Sequence, residues 1–340
     1  MNSQAMFLLG VMGGAAAVVA GSQAIRRRHA IDFAGRVVVI TGGSRGLGLV
    51  LARQLAAEGA RLCLLARAEA ELARARDELL DSGAEVMTLR CDVRRRADVR
   101  AAVDRILERW SRVDVLINNA GVIQVGPLEH MTPEDFENSM ATHFWGPLHM
   151  MYEIVPEMRR RGFGRIVNIS SIGGRVAVPH LAPYCAGKFA LAGLSDAVRA
   201  ELNQYGVRVT TVAPGLMRTG SPMNADMKGQ HEAEYAWFAI SSSLPGLSIS
   251  ADAAARQIVE ACRHGDPELT ITLQARLAVM LTHVAPGVVG RMMMIANRFL
   301  PGPAGVAGDR HRKGRESESK WAPSAATILT NRAAAANNEW

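Results

Sequence analysis

Apolar residues in this chain gather into short solid blocks separated by amphipathic stretches. Val37-Val-Val-Ile40, Ala60-Arg-Leu-Cys-Leu-Leu65 and Val113-Asp-Val-Leu-Ile117 are each a few residues long and rich in β-branched side chains or Leu. A strand half exposed to water would alternate apolar and polar positions; blocks of this kind predict strands buried on both faces of a parallel sheet. The first block runs into Thr41-Gly-Gly-Ser-Arg-Gly-Leu-Gly48, after which Leu49 to Leu55, with Ala56 and Ala57, reads as a helix. Strand, glycine turn and helix in that order predict an α/β fold: a Rossmann-type doubly wound parallel sheet in a single domain over residues 31–265. Downstream, Ala275-Arg-Leu-Ala-Val-Met-Leu281 and Val288-Val-Gly-Arg-Met-Met-Met-Ile295 are broken at Pro286-Gly287, which predicts an amphipathic helical C-terminal extension over 266–300. Residues 301–340 mix Gly, Pro, Ser, Ala and charge without a period, and no fixed structure is expected there.

At 340 residues the chain has room for one α/β domain of roughly 230 residues with extensions at both ends. The net charge of +7 owes much to the arginines of 26–28 and of the 310–315 tract, aromatics are 5%, and no basic stripe interleaves with them; a nucleic-acid-binding function is excluded. Cys63, Cys91, Cys185 and Cys262 have neither metal-ligand spacing nor the density of a disulfide scaffold, so no metal is expected and a reducing compartment is. Residues 1–30 change the picture more. Ala5 to Gly21 is uncharged, just long enough to span a bilayer if helical, and arginines follow it. These features predict a membrane anchor with the catalytic domain held on the cytoplasmic side; if the segment packs on protein instead, the chain is cytoplasmic. No Lys or Arg precedes the apolar run, which argues against export.

In the glycine turn, Gly42, Gly46 and Gly48 allow a tight bend and close approach to a pyrophosphate, which free amides around Ser44, Gly46 and Leu47 at the helix start would hold. The next strand ends in Ala66-Arg67, with no acid there to accept from a ribose hydroxyl. Arg67 and Arg45 instead converge on the ribose end, so NADP(H) is the expected cofactor and NAD the less favoured one.

These segments together resemble the short-chain dehydrogenase/reductase family, over about Val37 to Arg263, and further motifs follow in that family's order. The resemblance implies that Asp92 and Val93, in Cys91-Asp-Val93, contact the adenine ring. It implies that Asn119, Ala120 and Gly121, in Asn118-Asn-Ala-Gly121, brace the central strand and line the cofactor. Asn168-Ile-Ser-Ser171 matches the strand carrying the catalytic serine, with Tyr184 thirteen residues beyond it. Pro214, Gly215 and Thr219 would border the nicotinamide, and Lys188 would bind its ribose.

The chemistry follows from the residue types. A ketone accepting hydride develops alkoxide character and needs a proton; Tyr184 is the candidate donor, and its phenolate the base in reverse. A phenol near pKa 10 is a weak base at neutral pH, and Lys188, one helical turn on, offers a positive charge worth about 4 kcal/mol gross at an effective dielectric of 20. Ser171 would hydrogen-bond the substrate oxygen. One position departs from the family pattern: His143 stands where an Asn is usual, at a residue whose main-chain carbonyl holds a water linking the Lys to solvent. His143 is read either as a proton-relay group or as a packed, hydrogen-bonded histidine. The expected function is an NADP(H)-dependent oxidoreductase interconverting a secondary alcohol and a ketone or aldehyde on a lipophilic small molecule; the alternative is a catalytically silent NADP-binding sensor or scaffold. The lipophilic expectation rests on Ala5–Gly21 and on the region Met223–Leu247, whose Tyr235, Trp237 and Phe238 would close over the substrate. A homo-oligomer is also implied by the resemblance.

Overall fold

The computed structural model describes Arg26 and residues 28–340, so the expected membrane segment Ala5–Gly21 lies outside the described residues. Seven strands form one parallel sheet: β1 (Val37–Thr41), β2 (Arg61–Ala66), β3 (Val86–Arg90), β4 (Val115–Asn118), β5 (Gly164–Ile169), β6 (Val207–Pro214) and β7 (Glu268–Ile271). Their spatial order is β7-β6-β5-β4-β1-β2-β3. Helices join them: α1 (Gly46–Ala57), α2 (Glu69–Asp81), α3 (Arg96–Trp110), α4 (Pro133–Met140), α5 (Gly146–Arg161), α6 (Ala182–Leu202), α7 (His231–Ser243) and α8 (Ala251–His264).

The apolar blocks find the environment their pattern demands. Val38 and Ile40 of β1 pack into one core with Leu51 of α1 and Ile258 of α8, whereas Val37 and Val39 face a second core with Val103 of α3 and Met150 of α5. Burial on both faces requires side chains without polar atoms in either direction, hence solid blocks and not alternation. The chain runs outward from β1 to β3, returns to β4 beside β1 and continues to β7. The carboxyl ends of β1 and β4, where Thr41 stands opposite Asn118, therefore flank the crevice at which the winding reverses.

Two helices follow β7: α9 (Leu273–Val284), capped by Thr272, whose hydroxyl accepts from the amide of Ala275, and α10 (Pro286–Asn297), opened by proline. They fall where the broken apolar segments predict helices.

Residues 301–340 depart from expectation, because they carry ordered elements packed on the domain. Arg312–Lys313 pairs antiparallel with Asp226–Met227, which in turn pairs with Gln124–Val125. Helix α11 (Ile328–Ala336) lies against α7, and Ala322, Thr327 and Ala334 are fully buried. The segment is held by backbone pairing and small side chains on the existing surface, so it needs no hydrophobic period of its own.

Candidate active site

The glycine turn is built against the end of β4. A Cβ at Gly48 would sit 2.1 Å from the carbonyl oxygen of Gly42, and one at Gly42, whose φ is +64°, would sit 2.9 Å from Cα of Ala120. Asn119 locks this approach: its side-chain amide donates to the carbonyls of Thr41 and Gly42, both at 3.1 Å, while Thr41 Oγ1 accepts from the amides of Asn119 and Ala120. The asparagine thus braces two strand ends.

In front of the turn lies a cavity of about 670 Å³. Arg67, Asp92 and Val93 line one end, Gly42, Ser44, Arg45, Gly46 and Leu47 its floor, Asn119, Ala120 and Gly121 its wall, and His143, Tyr184, Lys188 and Thr219 the remainder. An elongated cleft with glycines at the helix start and cations at one end fits a dinucleotide. Among the expected residues, Gly48, Pro214, Gly215 and Ser171 are not on the cavity surface. Gly48 serves the close turn behind it, and Gly215 donates to the carbonyl of Ile271 at 3.2 Å, tying β6 to β7. At the far end the Asp92 carboxylate is gripped by Arg94, Nη2 to Oδ2 at 2.6 Å, which holds its pKa below the ordinary value.

Tyr184 and Lys188 lie one turn apart on α6 and face the crevice together. Lys188 is buried; its Nζ donates to the carbonyl of Ile169 at 2.8 Å and stands 5.6 Å from the centre of the Tyr184 ring. Ser171 Oγ accepts from the amide of Gly173 at 3.0 Å, and its hydroxyl is also hydrogen-bonded to the Tyr184 phenol. Burial pushes the Tyr184 phenol up to about 12, against a smaller downward pull from the Ser171 hydroxyl, and pushes the Lys188 ammonium down to about 7. The expected lowering of the phenol by Lys188 is overridden here: both groups are desolvated, and desolvation opposes the charged form of each.

His143 sits in a π-helical turn, Ala141–Trp145, between α4 and α5. Its Nε2 accepts from the amide of Val122 at 3.2 Å, and its Nδ1 lies 3.2 Å from Ser139 Oγ, which gives its own proton to the carbonyl of Pro183 at 2.6 Å. Only one arrangement satisfies all three bonds: an imidazole protonated at Nδ1, with its lone pair on Nε2. Burial, reinforced by the charge of Lys188, holds its pKa well below the usual value, so the ring stays neutral. The ring also meets Tyr184 edge-on, centres 5.4 Å apart.

The sequence profile described as short chain dehydrogenase matches residues 36–230. The chain belongs to the short-chain dehydrogenase family. It is an oxidoreductase of that family, with a nucleotide-binding Rossmann-like fold. The chain is 36% identical over 200 residues to a 3-ketodihydrosphingosine reductase of Bacteroides thetaiotaomicron, covering 58% of this chain and 71% of the relative. A solved short-chain dehydrogenase/reductase from Burkholderia phymatum in complex with NAD superposes with TM-score 0.71 at 27% identity, covering 76% of this chain and 96% of that one. Actinorhodin polyketide ketoreductase with NADPH superposes with TM-score 0.64 at 30% identity, covering 70% and 95%.

Two acids that the sequence reading passed over belong to this short-chain dehydrogenase's cleft. Glu71, in the first turn of α2, accepts from Ser44 Oγ at 2.9 Å and pairs with Arg45 at 3.0 Å. It lies one turn beyond the strand end where an acid is customarily sought, and read locally as an ordinary acid at a helix start. Glu339, buried at 5% exposure, reaches the cleft from the end of the ordered segment 301–340 and accepts from the amide of Gly220. No local pattern in the sequence marks it. Conversely, Tyr235 and Phe238 are buried in a cluster with Met227 and Leu181, Trp237 donates to Glu234, and none of these three aromatics lines the cavity.

Proposed function

We propose that this chain is an NADP(H)-dependent carbonyl reductase, interconverting a ketone and a secondary alcohol on a lipophilic small molecule, with Tyr184 as the proton donor. The observation that carries this reading is that a protonated phenol and a buried lysine line one cleft with the glycine turn, while the Ser171 hydroxyl stands behind them, bonded to the phenol. When bound, the nicotinamide supplies or takes up the hydride. Ser171 donates to the carbonyl oxygen and orients it, and Tyr184 delivers its proton to that oxygen as negative charge grows there. Lys188 offsets the charge left on the phenolate and would hold the ribose hydroxyls of a bound dinucleotide. A phenol near 12 is fully protonated at neutral pH, which suits reduction better than the reverse reaction. His143, with both ring nitrogens committed, holds the Val122 amide and α4 in place and is assigned a positioning role, not a relay.

For the cofactor, Arg67 at the strand end supports NADP(H). Glu71 favours a second reading, NAD, because a carboxylate there would accept from a ribose hydroxyl; its pairing with Arg45 leaves Arg67 as the charge that faces a 2′-phosphate. The test is kcat/KM for NADPH against NADH, before and after Arg67→Ala. NADPH preferred by about tenfold, and that preference lost in the variant, supports the reading; an unchanged ratio sinks it. A lipophilic substrate is supported by the name of the sphingoid-ketone reductase relative and by the apolar side chains Ile123 and Met217 in the cavity lining. The proposed membrane anchor 5–21 would bring such a substrate near.

A further inference from the structure

Helices α9 and α10 carry their apolar stripes outward. Leu277, Met280 and Val284 on α9 and Val288, Met292 and Ile295 on α10 recur at helical spacing, and every one is exposed. Each helix buries a single residue of its own, Ala275 or Val289. Phe299, just beyond, is 84% exposed. A water-facing helix normally shows the opposite pattern, and a contiguous apolar patch of this extent marks a contact surface. The charge identifies the contact. From Leu269 to Gly308 the sequence contains no Asp or Glu, while Arg276, Arg291 and Arg298 are all exposed.

We propose that the α9–α10 hairpin docks on an anionic lipid surface, apolar stripes in the acyl boundary and arginines at the headgroups. A second copy of the hairpin would bring like charges together, which disfavours self-association through this face. The helices lie on the surface and do not cross it: α9 has 12 residues, about 18 Å of helix against a hydrocarbon core of about 30 Å. The hairpin springs from the carboxyl end of β7. Gly215, after β6, bonds to Ile271, and a Cβ there would stand 2.8 Å from Thr272 Oγ1 at the root of α9.

The test uses the full chain and vesicles of phosphatidylcholine with or without phosphatidylglycerol, read by flotation. Wild type is expected to float with the anionic vesicles. The exposed triple variant Leu277→Ser, Met292→Ser, Phe299→Ser is expected to partition about tenfold less, and Arg276→Gln, Arg291→Gln, Arg298→Gln to lose the anionic preference while binding dinucleotide normally. Equal flotation of wild type and both variants overturns the proposal, as does a serine variant that becomes monomeric from a wild-type dimer without any change in flotation.

A separate observation concerns residues 337–340. The amide of Gly46 at the start of α1 is spent on the carbonyl of Asn337 at 2.9 Å, and Asn338 Nδ2 donates to the carbonyl of Ser44 at 2.8 Å. The Glu339 carboxylate lies 3.0 Å from where a Cβ on Gly46 would stand. A main-chain acceptor thus takes the Gly46 amide that a diphosphate would use, and the Glu339 carboxyl fills the space in front of it. We infer that segment 337–340 competes with the dinucleotide and withdraws when it binds; this rests on the cleft being the dinucleotide site. The segment lowers apparent affinity by the fraction of molecules in which it is docked. Calorimetric titration with NADPH measures binding without reference to turnover. Glu339→Ala and Asn338→Ala are expected to lower Kd about tenfold, and saturating NADPH to speed hydrogen exchange at 337–340 in the wild type. An unchanged or raised Kd in both variants, or slowed exchange, would show a clamp and overturn the inference; no binding in any variant would instead refute the dinucleotide reading.

Discussion

Tyr184 and Lys188 are two ionisable groups whose charged forms burial opposes in opposite senses. The phenol stands near 12 and the ammonium near 7, so around neutral pH the donor proton is in place while the lysine is losing its charge. Lys188 is cationic below about 7 and neutral above it. The kcat/KM for the dinucleotide, which reports ionisations of the free enzyme, should therefore fall as pH rises through about 7, with Tyr184 contributing no limb in that range. A flat profile from pH 6 to 9, measured by initial rates, would contradict this. His143 gives a complementary expectation. Its pKa lies well below the ordinary range and both ring nitrogens are bonded, so His143→Asn should leave the pH profile in place while lowering the thermal midpoint by several degrees through loss of the Val122 and Ser139 contacts. A displaced limb would restore a relay role for the imidazole. Sequence alone named these side chains, because their spacing on a helix is a local property. It left the state of the imidazole open, since that is decided by Val122, Ser139 and Pro183, which only the fold brings together.

At the level of elements, the strands and the glycine turn were legible because a parallel strand covered on both faces admits little besides Val, Ile, Leu and Cys. The π-helical turn at Ala141–Trp145 had no such signature. It is set by packing, above all where α6 comes close: a Cβ on Gly187 would stand 2.7 Å from Ser139 Oγ and 2.9 Å from His143 Nδ1. Gly187→Ala is therefore expected to push His143 and α4 away from α6, costing about 1–3 kcal/mol in denaturant unfolding and reducing kcat more than dinucleotide affinity. Full stability and full activity in that variant would show that the α4–α6 approach is slack. The aromatics Tyr235, Trp237 and Phe238 mark the limit of element-level reading. An amphipathic helix near an active site looks the same whether it faces substrate or core, and Tyr235 and Phe238 face core.

Across the whole molecule, order along the chain was more informative than any single motif. Glycine turn, bracing asparagine, serine and the Tyr184–Lys188 pair come from β1, β4, β5 and α6, and the doubly wound topology delivers all of them to one edge of the sheet. What stayed hidden was contributed from far along the chain. Segment 301–340 wraps back to place Lys313, Arg315 and Glu339 on the cavity wall, through backbone pairing and small residues that leave no period to read. The α9–α10 hairpin was visible as two apolar segments, but which way they faced depended on the rest of the fold.

The central claim is that Tyr184 donates the proton in dinucleotide-linked carbonyl reduction, and the most direct measurement is the initial rate of NADPH oxidation with a panel of lipophilic ketones. Wild type and Tyr184→Phe should be compared side by side, with NADPH affinity titrated in both. The predicted result is turnover of at least one ketone by wild type, with a fall of about 10³-fold in the variant at nearly unchanged NADPH affinity. Tight NADPH binding without turnover of any ketone, or equal rates in the two proteins, would contradict it.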